Sequence, residues 1–291
     1  MTVFHCLRAS RNRGGEPTRQ FPHHLVGPAL ALTVLSLGAC QMSGQNPIKG
    51  SLGEVLDPFY QPSPAQLARD AFDISDADKR RRAVALLSSA DWGGEDVYLE
   101  TYRLAARTDP DDSVRAVALS ALGRHGNVDD VPLIISSLKH GSLNVRWASA
   151  RALQKIHNPK AISPLIKAAT DDEVSDVRVA AVKALGQYAR PSVFDALVGA
   201  LNDTDYSVSY NAWQSLQTLT GETLPMDARP WLAWSKENGG ELFANRQAYI
   251  WQPYDRPPGL LDKVQFWKDA DPVPPRAPTG FEPTRDEELG A

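Results

Sequence analysis

The sequence predicts an all-α protein, a right-handed α/α solenoid of about five helix pairs with a Pro-rich C-terminal extension. Three observations predict it. Two stretches are written alike, SVRAVALSALG at 113–123 and NVRWASARALQ at 144–154, with Arg115 and Arg146 in register 31 positions apart. Sixteen residues after each arginine an apolar pattern begins, Val131, Ile134, Ile135 and Leu138 in one copy and Ile162, Leu165, Ile166 and Ala169 in the other. Both have the i, i+3, i+4, i+7 spacing of one helix face. No such pair can cover its apolar stripe alone, so the copies stack into a continuous core.

Residues 1–39 read as a signal peptide rather than as structure. Arg8, Arg11, Arg13 and Arg19 make a basic leader, and Leu25 to Ala39 is an apolar run too short for an ordinary membrane span. The run ends in Leu37-Gly38-Ala39-Cys40, which resembles the bacterial lipobox, where a small residue precedes a cysteine that is lipidated and becomes the mature N-terminus. The resemblance implies a lipid at Cys40 and a place on the periplasmic side of a bacterial cell envelope. Gln41 does not match the aspartate associated with inner-membrane retention, which by the same resemblance favours the outer membrane. Residues 40–64 are the lipidated cysteine and a polar, Gly- and Pro-containing tether with a reach of roughly 25–30 Å.

Residues 65–238 hold the repeats. A helix is predicted from Pro64 to Phe72. Arg82-Ala83-Val84-Ala85-Leu86 then repeats Arg115-Ala116-Val117-Ala118-Leu119 residue for residue, and Tyr98, Thr101, Tyr102 and Ala105 continue a second helix. Ser88 and Ser89 make this first unit polar, as suits a terminal repeat. A further copy runs from Asp176 to Gly186, followed by Phe194, Leu197, Val198 and Leu201. The arginines Arg82, Arg115, Arg146 and Arg178 are thus 33, 31 and 32 positions apart. A fifth unit keeps Val208, Ala212 and Leu216, but Ser209 replaces the arginine, and Asn211 and Ser215 are polar. Asp227 reads as the N-cap of a last helix whose Trp231 and Trp234 close the core. Residues 239–291 contain eight prolines, one short helix at Leu260 to Lys268, and aromatic residues, Trp251 among them, that predict docking.

The units resemble HEAT-like repeats, in particular the short bacterial type shared with phycobilisome-lyase-like proteins. Asp109 to Arg115 with Ala121-Leu122-Gly123, and Asp171, Asp172, Val177, Arg178 with Ala184-Leu185-Gly186, carry the resemblance, which extends over about Asp76 to Asn238. It implies the fold and leaves the chemistry open. Independently of it, alanines let helices approach closely, and acidic residues before a helix cap its exposed amides. Arg82, Arg115, Arg146 and Arg178 are therefore expected to form a stacking ladder with the acidic loops.

Composition excludes several classes. The two cysteines, Cys6 and Cys40, precede the folded region, so no disulfide, thiolate or zinc framework is available there. Cleavage before Cys40 removes four arginines and Glu16 and moves the formal net charge from −4 to −7, against a general nucleic-acid binder. His125, His140 and His157 lack a ligand set, and His125 and His157 read as helix caps, so no metal, cofactor or catalytic group is predicted. The basic run Lys79-Arg80-Arg81-Arg82 reads as a solvated helix face. If the second helices line the concave side, then Arg103, Arg107, Ser136, His140 and Lys167, with Glu100 and Leu133, form the candidate partner face. The function expected on these grounds is a membrane-anchored, non-enzymatic scaffold binding an envelope protein. The alternatives are an enzyme or lyase-like enzyme subunit using the groove, and a purely structural envelope protein.

Overall fold

A computed structural model describes residues 62–251 and 276–281. The signal peptide, Cys40, most of the tether and the predicted helix at 260–268 lie outside the described residues. Among these there are eleven α-helices: α1 Pro64–Asp70, α2 Ala77–Ser89, α3 Asp96–Thr108, α4 Asp112–His125, α5 Val131–Ser137, α6 Leu143–Leu153, α7 Ile162–Asp171, α8 Ser175–Leu185, α9 Pro191–Ala200, α10 Tyr206–Thr220 and α11 Ala228–Glu237. Caps set their starts. Asp76, Asp111, Asp205 and Asp227 accept hydrogen bonds from backbone amides in the first turns of α2, α4, α10 and α11, and proline occupies the first turns of α1, α5 and α9.

The fold is the expected α/α solenoid, but its pairs are phased differently. Each second helix packs chiefly on the first helix that follows it, so the hairpins are α1–α2, α3–α4, α5–α6, α7–α8 and α9–α10, with α11 closing the end. The short acidic turns lie inside the hairpins, where three residues, 109–111, join α3 to α4 and three, 172–174, join α7 to α8.

Those turns are linked by a ladder. Arg146 binds Asp172 through two parallel hydrogen bonds (Nε–Oδ2 2.8 Å, Nη2–Oδ1 3.1 Å), and its Nη1 donates back to the carbonyls of His140 and Gly141. Arg178 does the same with Asp203 (2.8 and 2.9 Å) and the Asp172 carbonyl, and Arg80 with Asp109 (2.9 and 3.0 Å) and the Asp73 carbonyl. Asp109, Asp172 and Asp203 in turn accept the amide two residues on. Every turn thus takes a side chain from the previous repeat and offers its carbonyl to its own. Pairing raises the pKa of all three arginines, and the Arg178 hydrogen bond holds the Asp203 carboxyl below its ordinary range.

The register of the first unit is corrected by this ladder. Arg80, not Arg82, is buried and occupies the repeat position, while Arg82 is exposed. A two-residue offset turns a helix by about 200°, so the identical string RAVAL presents different faces in α2 and α4. Buried Ala83, Val84 and Leu87 correspond to buried Ala118, Leu119 and Leu122, a shift of 35 that also relates Arg80 to Arg115.

The core runs through all repeats as one buried cluster. Successive first helices cross closely, and a Cβ built on Gly123 would stand 2.8 Å from Ala152 Cα, so α4 and α6 touch backbone to backbone there. At the far end Trp231 is fully buried and its indole donates to the Pro225 carbonyl, while Trp234 packs edge-on against it and beside Phe194.

Beyond α11 the chain turns back over the solenoid as a strap. The Gln247 amide donates to Thr218, Tyr249 accepts from Gln154 (3.0 Å) and donates to the Lys183 carbonyl (2.7 Å), and Trp251 covers Lys155. Residues 276–281 continue it. Arg276 pairs with Trp251, and Thr279 exchanges backbone hydrogen bonds with Lys155 and His157.

Candidate functional site

The curvature decides which helices face a groove. Neighbouring first helices, α2, α4, α6, α8 and α10, pack directly on one another, whereas the second helices of adjacent repeats touch far less. The side with closer spacing is the inside of the bend. The concave face is therefore built from the arginine-bearing helices, and the assignment of that face to the second helices is corrected.

The residues assigned to a partner face are accordingly dispersed. Arg103 is spent on the buried carboxylate of Asp130 (2.6 and 3.2 Å), which itself caps Asn127, and on Glu100. His140 sits in the ladder. It stands where Asp109, Asp172 and Asp203 stand in the other turns, accepting the Ser142 amide on Nδ1 and facing Arg115 Nη1 at 3.2 Å through Nε2. Arg115 also donates to the Asp109 carbonyl. Arg107, Ser136 and Lys167 are exposed on α3, α5 and α7, the last paired with Asp171 at 2.7 Å. The basic run is largely engaged, with Lys79 on Asp70 and Asp73 and Arg81 on Asp78.

Counting from the ladder residues Arg80, Arg115, Arg146, Arg178 and Ser209 defines the inner surface. The next position in each helix gives Arg81, Ala116, Trp147, Val179 and Tyr210, and one turn further gives Ala85, Ser120, Arg151, Lys183 and Gln214. Arg124 and Lys155 extend the second row by another turn. The middle of this face combines cations with aromatic rings. The Arg151 guanidinium lies 5.1 Å over the Trp147 ring, and Lys155 Nζ lies 4.8 Å over the Trp251 ring supplied by the strap. A cavity of about 440 Å³ is lined here by Ser120, Trp147, Arg151, Ala152 and Lys155.

Its electrostatics are uncompensated. Among the described residues no carboxylate lies within ion-pair distance of Arg124, Arg151, Lys155 or Lys183. Burial, then the charges of Arg151 and Arg124, push the Lys155 amine down to about 8, and burial also lowers Arg151 and Lys183. Other histidines serve structure. His125 hydrogen-bonds the Ser88 carbonyl at 2.7 Å, and His157 stacks on Tyr188 and meets Gln187 at 3.1 Å, its pKa lowered by burial. A second, apolar cleft of about 190 Å³ lies beside Phe72, Ile74 and Leu104, but the charged residues in its wall, Arg80 and Asp109, already bind each other.

Comparison with known proteins matches HEAT repeats to residues 100–185 and 175–232. Residues 100–232 are thus similar to HEAT repeats. The phycocyanin operon protein Z of Pseudanabaena tenuis (strain PCC 7409) is 32% identical over 124 residues, which cover 39% of this chain and 61% of that protein. The match therefore spans less than two thirds of that relative. Among solved structures, the complex of CpcE and CpcF of phycocyanin lyase from Nostoc sp. PCC7120 is similar with a TM-score of 0.50 and 23% identity, over 56% of this chain and 67% of that one. The Escherichia coli protein YibA gives a TM-score of 0.48 at 21% identity, over 64% of this chain and 67% of that one. A solenoid of this fold thus occurs in a lyase complex. That finding overturns the expectation, drawn from architecture alone, of a non-enzymatic protein.

Sequence reasoning missed Trp147, Arg151, Lys155 and Lys183. The signal was present, since 147, 151 and 155 are one helical turn apart and 151 and 183 share a repeat position. Assigning the concave face to the other set of helices hides it.

Proposed function

We infer that the chain is a partner-binding subunit of a lyase-like enzyme, working through the inner face of its solenoid. The observation that carries this is the likeness of its fold to a phycocyanin lyase complex of two chains, supported by the phycocyanin operon relative. The inner face adds a physical basis, because exposed Trp147 and Tyr210 share one repeat position beside unpaired cations, and aromatic and arginine anchors dominate protein recognition. The leader and Cys40 place this subunit, in the same reading, at a bacterial membrane surface.

The test is site-specific photocrosslinking in cells. A crosslinker at Tyr210 should give one discrete product, and one at Val97, exposed on α3, should give none. Intact mass of the captured partner, made with and without this chain, then reads whether a group is added or removed. An unchanged partner mass refutes the enzyme, and equal products at both positions refute the inner face. Labelling with a fatty-acid analogue should vanish in Cys40→Ser, and persistent labelling would refute the anchor.

A further inference from the structure

We propose that the cavity between α4 and α6 is a binding site for a small organic oxyanion, a carboxylate or phosphate ester, held by Arg151 and Lys155 beside the indole of Trp147, with Trp251 backing the Lys155 amine. The cavity carries this by itself, whatever partner the chain has.

The argument begins with charge. A chain with formal net charge −4 still gathers Arg124, Arg151, Lys155 and Lys183 on one stretch of its inner face, with no carboxylate among the described residues to neutralise them. By contrast Arg80, Arg103, Arg146 and Arg178, equally withdrawn from solvent, are each paired with a carboxylate at 2.6 to 2.9 Å. An assembly of like charges costs stability unless something supplies the counter-charge. A bound oxyanion supplies it.

Geometry sets the size and kind of ligand. Each of the two central cations lies over an aromatic ring, which fixes its position without neutralising it and leaves its donors available. The volume of about 440 Å³ lies within the roughly 300–1,000 Å³ of small-molecule pockets. Trp251 reaches the Lys155 end only because the strap is tied down by Tyr249 and by the backbone pairing of Trp251 with Arg276. Ser120, also in the lining, donates its hydroxyl to the Ala116 carbonyl at 2.9 Å, so the ligand's donors are the two cations. Flat rings with cations beside them suit an apolar molecule bearing an acidic group. The depressed Lys155 amine supports the reading, because an anion restores its proton, and binding near pH 8 then takes protons up from solution.

Calorimetry on the purified full chain tests this with three probes: citrate, inorganic phosphate and a hexaglutamate peptide. Saturable one-to-one binding of citrate or phosphate is expected, and which of the two binds names the oxyanion. Arg151→Gln and Lys155→Gln should each weaken it about tenfold, Lys155→Arg should keep it within about threefold, and Lys167→Gln on the outer side should leave it unchanged. Lys155→Gln removes an uncompensated half-buried cation, so its Tm should hold or rise, which separates lost binding from lost folding. No saturable binding of citrate or phosphate overturns the proposal. So do unchanged affinities in both glutamine variants, or binding of hexaglutamate alone.

Discussion

Arg146→Ala is the sharpest test of how the solenoid holds together. The Arg146 side chain is 10% exposed and the Asp172 side chain 7%. Removing the guanidinium leaves a carboxylate with one remaining donor, the Val174 amide at 3.0 Å, and strips a donor from the His140 and Gly141 carbonyls. Breaking one partner of a buried pair costs about 3–5 kcal/mol, and the retained amide places this case near 3. For a folded body of this size that corresponds to a fall in Tm of roughly 6–12 °C. Urea denaturation followed by circular dichroism, on Arg146→Ala, Asp172→Ala and the double variant, gives a thermodynamic cycle. Asp172→Ala should also destabilise, and the double variant should cost clearly less than the sum, with a coupling of about 1.5–3 kcal/mol. A single-variant loss below about 1 kcal/mol, or additivity in the cycle, would show that the two groups behave as exposed charges and that the ladder does not bind repeats together.

The Arg115 rung should be improvable. His140 Nε2 faces Arg115 Nη1 at 3.2 Å and Asp112 Oδ1 at 3.7 Å, where the other rungs have two parallel arginine–carboxylate hydrogen bonds; His140→Asp should therefore gain about 1 kcal/mol and raise Tm, and an unchanged or lowered Tm counts against the assignment. Gly123→Ala should cost about 1–3 kcal/mol because its methyl would meet Ala152 Cα at 2.8 Å, a loss absent in thermal melts if α4 and α6 can part freely. Gly221→Ala should loosen the strap, since φ there is +75° and a Cβ would stand 2.1 Å from the Asn245 carbonyl oxygen; faster cleavage between 240 and 251 in limited proteolysis is the expected readout, and unchanged cleavage would refute it. Lys155 predicts a pH dependence. Its folded-state value, about 8, lies below the ordinary 10.5, so the folded chain releases this proton first and stability should climb as pH rises from about 8 toward 10.5. The urea midpoint should show that climb, and Lys155→Gln should flatten it; identical slopes would rule out the burial inferred for this amine.

Much of the fold was legible because its determinants are local and periodic. Val114, Ala118, Leu122 and their copies are core residues simply by spacing, and Asp227 caps α11 as its position demands. Three things were not legible, for different reasons. The string RAVAL matched at Arg82, yet sequence identity says nothing of helical phase, and only the burial of Arg80 against Asp109 fixes it. The pairing of each second helix with the following first helix follows from three-residue turns, which a register counted from arginines obscures. The setting of Lys155 depends on the strap, whose Trp251 arrives from 96 positions beyond it, a contact no periodicity encodes. Helical spacing puts His140 on a surface strip; aligned on the turns instead, it is the one histidine in a column of aspartates.

The ladder makes the length of this protein a countable quantity. The turns at Asp109, His140 and Asp172 each receive an arginine from behind and lend their own carbonyl to the arginine six residues ahead, so any two of these turns are interchangeable at the seam. Excising residues 110–140 would place Asp109 directly before Gly141, in the seat of His140, with Arg80 still bonded to its carboxylate and Arg146 reaching its carbonyl. The shortened chain would lose its one mismatched rung along with one repeat. A gene carrying such a fold can therefore gain or drop units by in-frame recombination between turns, and the molecule will tolerate the change wherever the seam falls on this residue.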